Sequence, residues 1–168
     1  MRHSERRNKI QVSRIKKIGL SILVVFSAIQ FMQPVRNKSV GLSATDISKV
    51  LNIPDSVQAI LENACFDCHS NNTNYPWYVN IQPMGWLMTK HIRQGKAALN
   101  FSEFDSYSAR RRQSKLKSIA DQISDGDMPL SSYIWMHKKA KLTNDEKGLI
   151  INWVQQSKDI LSIKKLKE

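Results

Sequence analysis

The first hydrophobic pattern along the chain is a block. Ile18 to Met32 carries no charge and is mostly apolar, and counting on to Val35 gives eighteen residues before Arg36. Residues 36–44 are polar and read as a short linker. Beyond them apolar positions recur at helical spacing. Val57, Ile60, Leu61 and Ala64 follow Asp55, which predicts a capped helix over 55–67. Residues 70–82, rich in Ser, Asn and Pro and holding Tyr75, Trp77 and Tyr78, predict a loop. A second helix is expected over 83–94, with Pro83 at its start and Gly95 at its end. A third is expected over 107–124, where Leu116, Ile119, Ala120 and Ile123 make one apolar stripe that stops at Gly126. The last begins at Thr143. Thr143-Asn144-Asp145-Glu146 matches a capping box, and Leu149, Ile150, Trp153 and Val154 form the inner face behind it. No strand-like alternation and no internal repeat is visible, so the expected fold is all-α.

The charge pattern changes how the apolar block is read. Arg2, Arg6, Arg7, Lys9, Arg14, Lys16 and Lys17 precede it, the basic-then-apolar order of an export signal. Eighteen residues lie at the short edge of the roughly 17–25 that span a bilayer, and Lys16 and Lys17 can snorkel. Gln33-Pro34-Val35-Arg36 offers no small-x-small cleavage site, and Ser39-Val40-Gly41 lies late. An uncleaved anchor is therefore expected, with a cleaved periplasmic form as the alternative. The basic end stays in the cytoplasm, so the rest of the chain faces the periplasm from the inner membrane. The organisation read from this is 1–35 leader and anchor, 36–44 linker, 45–157 folded domain and 158–168 basic tail. The net charge of +12 is concentrated in the leader, where residues 1–39 hold nine Lys/Arg and one acid. It therefore argues for no nucleic-acid partner.

The chain has two cysteines, too few for a disulfide framework. They stand in Cys65-Phe66-Asp67-Cys68-His69, the C-x-x-C-H attachment motif of c-type haem. Residues three apart share a helical face, so both thiols can reach the two vinyl groups on one porphyrin edge and form thioethers. His69 then lies under the iron as proximal ligand. Haem attachment takes place outside the cytoplasm, so motif and leader support each other. Two other chemistries use the same residues. Zinc would need a fourth ligand such as His91, yet no second paired half-site follows. A redox dithiol needs strands around the motif, and none is predicted.

A distal ligand is sought next. Asp125-Gly126-Asp127-Met128-Pro129 lies 59 residues after His69, between a helix and the capped final helix. Pro129 fixes its own φ and holds Met128 extended, which suits Met128 as the thioether ligand. Met84, Met88 and His91 fall at i, i+4, i+7, a stripe that reads as core. His91 stays as the alternative distal ligand, and an open sixth position is a third possibility. Met136 and His137 are weaker candidates. Trp77, Tyr78 and Trp86 read as packing on the haem plane or core, with N–H and O–H groups able to meet propionates. Arg93 has the same reach. Arg110-Arg111-Arg112 reads as a solvated helix face.

From Pro54 to Val154 the chain resembles the cytochrome-c-like haem-binding domain proteins of the Bacteroidetes type. The stretches that carry this are Cys65-Phe66-Asp67-Cys68-His69-Ser70-Asn71-Asn72-Thr73, Tyr75-Pro76-Trp77-Tyr78, Leu99-Asn100-Phe101-Ser102-Glu103-Phe104, Asp127-Met128-Pro129 and Leu142-Thr143 through Trp153. The arrangement is similar to small class I cytochromes c, although the aromatic-rich stretch 76–100 is not typical of them. The resemblance implies an all-α fold wrapped round one covalent haem c, with Cys65, Cys68, His69 and Met128 carried over. It implies one-electron transfer to a redox partner protein by a membrane-tethered carrier that is not an enzyme. The alternative expectation is a haem-based sensor or peroxidase-like protein whose axial site opens to a small molecule.

Overall fold

A computed structural model describes residues 2–165, without the side chains of 2–10, 12, 164 and 165. Met1 of the basic leader and residues 166–168 of the basic tail lie outside the described residues. Among the described residues every regular element is helical. The α-helices are α1 (Arg2–Ile29), α2 (Asp55–Ala64), α3 (Phe66–His69), α4 (Met84–Ala98), α5 (Ala109–Asp125), α6 (Ser131–Met136) and α7 (Asn144–Lys165). Short 3-10 turns stand between them, including Phe101–Ser106 and Trp77–Asn80. The all-α expectation therefore holds.

The chain divides into two compact units. The first joins the residues up to Val35 to Pro76–Lys90. Within it the end of the leader is hydrogen-bonded to the aromatic loop. Gln82 is fully buried. Its N–H donates to Gln30 Oε1 at 2.9 Å and its Nε2 to Gln33 Oε1 at 3.0 Å. Trp86 Nε1 donates to the Met32 carbonyl at 2.9 Å. α1 ends at Ile29, so only twelve residues of the apolar block, from Ile18, are helical. At ~1.5 Å per residue they measure roughly 18 Å, against the ~30 Å of a bilayer core. Among the described residues no helix is long and apolar enough to cross a membrane.

The second unit comprises Arg36–Tyr75 and the chain from His91 onward. Its core is the meeting of the apolar stripes read from the sequence. Leu61 of α2, Leu116 of α5 and Ile150 of α7 are all fully buried, together with Phe104. The capping box forms as expected, with Thr143 N–H donating to Glu146 Oε2 at 2.8 Å and Glu146 N–H to Thr143 Oγ1 at 3.2 Å. Trp153 Nε1 donates to the Asn52 carbonyl at 3.0 Å and so ties α7 to the segment before α2.

Four local expectations are corrected. Asp55 is the first residue of α2, not its cap; Pro54 holds the cap position, and the carboxylate at the N-terminus favours the helix dipole instead. The helix expected over 55–67 breaks at Cys65, whose φ of −125° falls outside the helix, and α3 restarts behind it. The helix expected over 83–94 runs on to Ala98, with Gly95 inside it. Arg110 and Arg111 are exposed as expected, but Arg112 turns back to pair with Asp105 at 2.7 Å.

The linker is also more ordered than its composition suggested. Asn37 N–H donates to Tyr75 Oη at 2.7 Å, and its Nδ2 donates to the Ser70 carbonyl at 2.8 Å and to Thr73 Oγ1 at 2.9 Å. Its Oδ1 accepts from Lys96 Nζ at 2.8 Å, and its carbonyl accepts from Thr73 N–H at 3.0 Å. One residue thus straps the loop that follows the C-x-x-C-H motif. Asn37→Ala removes three of these bonds and should destabilise the domain by about 3 kcal/mol at ~1 kcal/mol per net bond. Urea unfolding checks this, and an unchanged midpoint would show the strap to be passive.

Candidate haem site

The break at Cys65 sets the geometry of the motif. α2 delivers Cys65, whose N–H still bonds the Leu61 carbonyl at 2.9 Å, and the single turn of α3 then carries Cys68 and His69. Asp67 holds this turn in place on three sides. Its Oδ1 accepts from Asn74 N–H at 2.8 Å, its Oδ2 from Tyr133 Oη at 2.6 Å, and its carbonyl from Thr73 Oγ1 at 2.6 Å. The loop after the motif and α6 are therefore both fixed to Asp67, one of the two residues between the cysteines.

Against α3 lies α4, at Gly95. A Cβ built there would stand 2.5 Å from the Cys68 carbonyl oxygen and 3.2 Å from Cys68 Cβ. The glycine is thus a close-approach position and not a helix stop. The approach brings the end of α4 over His69, whose Nδ1 lies 3.0 Å from the Leu99 carbonyl. A carbonyl partner selects the tautomer with the proton on Nδ1, which leaves the Nε2 lone pair for a ligand. Burial lowers the His69 pKa, against the opposing pull of the Leu99 and Gly95 carbonyls, so the ring is neutral and ready to coordinate. Phe101 meets the His69 ring edge-on, with centroids 6.3 Å apart, and Phe66 at 5.2 Å.

The Met128 loop is built by Gly126. Its φ of +78° is open to glycine at little cost, and it ends α5. The chain then turns back, with the N–H groups of Asp127 and Met128 both reaching the Gln122 carbonyl at 3.0 and 3.2 Å. This presents a half-buried Met128 to a cleft of about 320 Å³. The same cleft is lined by Cys65, His69, Leu99, Phe101, Ile119 and Ile123, with Pro129 and Leu142. Its size falls within the roughly 300–1,000 Å³ of ligand pockets.

The thiols are free. Burial pushes Cys65 up to about 12, helped by neighbouring Cys68, and pushes Cys68 up to about 11, helped by the Asp67 carboxylate. A reactive redox dithiol depends on the reverse shift. Among the described residues no group of three or more His, Cys, Asp or Glu side chains is arranged to hold a metal ion.

The structure thus brings Cys65, His69 and Met128 to one cleft. Cys68 is half-buried on the same turn but is not part of the lining. His91 and Arg93 belong to the second unit and do not line the cleft; Arg93 is exposed. Trp77, Tyr78, Trp86, Met84 and Met88 belong to the first unit. Trp77 is 73% exposed and Trp86 38%, whereas Met88 is buried. His137 stacks on Tyr133 with centroids 4.0 Å apart, and Met136 is exposed. Sequence reading missed the Leu99 carbonyl, Phe101 and the Asp67–Tyr133 contact. The stretch Leu99–Phe104 carries the family resemblance but has no predicted role at the site, and Gly95 reads as a helix end.

An all-helical domain whose apolar cleft gathers a C-x-x-C-H histidine and a methionine thioether is of the haem-binding class. The family model for a haem-binding domain matches residues 24–156, and the chain belongs to that family. No curated protein and no solved structure gives a significant match to the chain.

The residues present fit a haem. The apolar walls suit the ring, the neutral His69 has its Nε2 free, and Met128 supplies a second soft donor from another element.

Proposed function

We propose that this protein is a monohaem c-type electron carrier that works outside the cytoplasm. Cys65 and Cys68 would hold one haem c by thioethers, and His69 and Met128 would be the side chains that ligate its iron. One observation carries the reading: Cys65, His69 and Met128, from three separate elements, line a single apolar cleft. When bound, the group supplies a reversible one-electron iron couple. The chain does the rest. The Leu99 carbonyl orients His69 and keeps its proton on Nδ1. Met128 would bring a soft thioether donor, which favours reduced iron and raises the potential relative to two nitrogen ligands. Phe101, Ile119, Ile123 and Leu142 line the cleft with apolar surface and would keep water from the group. An iron held by both side chains would leave no position for a substrate, so one-electron carriage is the role proposed. The partner is a redox protein.

Met128→Ala tests the ligand set. Haem should stay attached while the sulfur-to-iron charge-transfer band is lost, the potential falls and carbon monoxide binds the ferrous protein faster. His91→Ala should leave the band in place. The reverse pattern would establish His91 as the ligand, and prompt carbon monoxide binding by the wild type would favour a sensor or peroxidase-like protein.

The leader is proposed to export the chain and to tether it to the inner membrane, with the haem domain in the periplasm. Its basic start and apolar block support this. Cleavage after Gly41 would discard Asn37 and its strap. Intact mass of the mature protein should therefore show residue 37 retained; a stable haem-loaded product beginning at Leu42 would contradict it.

A further inference from the structure

We propose that Lys115 is the counter-ion of the haem carboxylates, so that the ring sits in the cleft with its propionate edge against α5. The inference rests on the haem reading above and adds an orientation to it.

The cleft is apolar along most of its wall, yet any haem brings two propionic side chains that are ionised at neutral pH. A carboxylate taken from water without a partner is costly, so the protein must either meet it with a cation or leave it in solvent. Apart from neutral His69, Lys115 is the only ionisable side chain with a basic or acidic charge in the lining, and no carboxylate lines the cleft to oppose it. It is half-buried. Its Nζ donates to the Ala98 carbonyl at the end of α4, which fixes the stem against the wall. An ammonium has three donors, so two remain for carboxylate oxygens.

The surroundings agree. Ser118 and Gln122 line the same cleft at i+3 and i+7 from Lys115, on one face of α5, with a hydroxyl and an amide to offer. Ser118 is exposed, so this polar edge stands where the cleft meets solvent. Cys65 comes from the break after α2 and Lys115 from α5, so the thioether and the carboxylate contact would come from two different parts of the chain. Lys117, two residues on, provides the contrast. It is 66% exposed, pairs with Asp121 at 2.6 Å and does not line the cleft.

The test uses the full chain made in cells that attach haem c. Lys115→Gln, Lys115→Glu, Lys115→Arg and Lys117→Gln are compared for haem content, reduction potential and the propionate bending mode in resonance Raman spectra. A cation beside the haem favours the reduced iron. The potential should fall in Lys115→Gln and fall further in Lys115→Glu, while Lys115→Arg and Lys117→Gln stay near wild type. The bending mode should drop in frequency in Lys115→Gln and recover in Lys115→Arg. Equal shifts from Lys117→Gln and Lys115→Gln, or an unmoved bending mode in Lys115→Gln, would overturn the contact while leaving haem attachment intact. A wild-type chain without haem would instead overturn the reading on which the contact rests.

Discussion

Replacing Gly95 by alanine should leave a chain that neither holds haem nor unfolds at its normal denaturant midpoint. The added methyl would stand 2.5 Å from the Cys68 carbonyl oxygen and 3.1 Å from its carbonyl carbon. Both are backbone atoms, so no side chain can rotate away. Either α4 retreats, and the Leu99 carbonyl leaves His69, or the motif turn shifts and the thiols move with it. Overpacking of a core commonly costs about 1–3 kcal/mol, and a backbone clash on the attachment motif belongs at or above the top of that range. Gly148→Ala is the control, because a Cβ there meets nothing within 4 Å inside α7. It should stabilise the protein by about 0.5–1 kcal/mol. Full haem content and an unchanged urea midpoint in Gly95→Ala would show that the helix–motif contact does not matter.

Phe101→Ala should cost about 3–5 kcal/mol, a large part of the roughly 5–15 kcal/mol that holds a domain together. Phe101 is 2% exposed and forms cleft wall, with Phe66 on one side and the His69 ring on another. Its loss opens a void beside the proximal histidine as well as in the core. Urea unfolding should therefore shift strongly, and the haem that remains should show a broadened spectrum from a less fixed His69. Trp135→Ala, at a side chain 71% exposed, should stay within about 0.5 kcal/mol of wild type. A Phe101 variant as stable as the Trp135 variant would mean the cleft wall carries little of the fold.

What could be read from the sequence was what is local. The Thr143–Glu146 box and the Gly126 stop each depend on residues within one helical turn, and each is found as expected. The all-α class followed from periodicity alone. What stayed hidden depends on contacts across the chain. Leu99 holds His69 through a backbone carbonyl 30 residues away, and a carbonyl has no residue signature. Gly95 was read as a terminator because glycine favours helix ends. Here the missing Cβ serves an approach to Cys68 that only the packed structure reveals. Asn37 sits in a stretch whose composition says linker, yet its partners at Ser70, Thr73, Tyr75 and Lys96 make it part of the domain. The apolar block of the leader was legible as composition, whereas the end of α1 at Ile29 was not.

The central claim is that Cys65 and Cys68 bind haem covalently within the His69–Met128 cleft. Haem staining of the full chain after denaturing electrophoresis tests it most directly, using protein made in cells that attach haem c, beside the Cys65→Ala, Cys68→Ala double variant. Two thioethers should keep the stain on the wild-type band at the mass of the chain and through acid–acetone extraction, with none on the variant. Haem that leaves the wild-type chain in acid–acetone, or a stain that persists in the variant, would contradict covalent attachment at this motif.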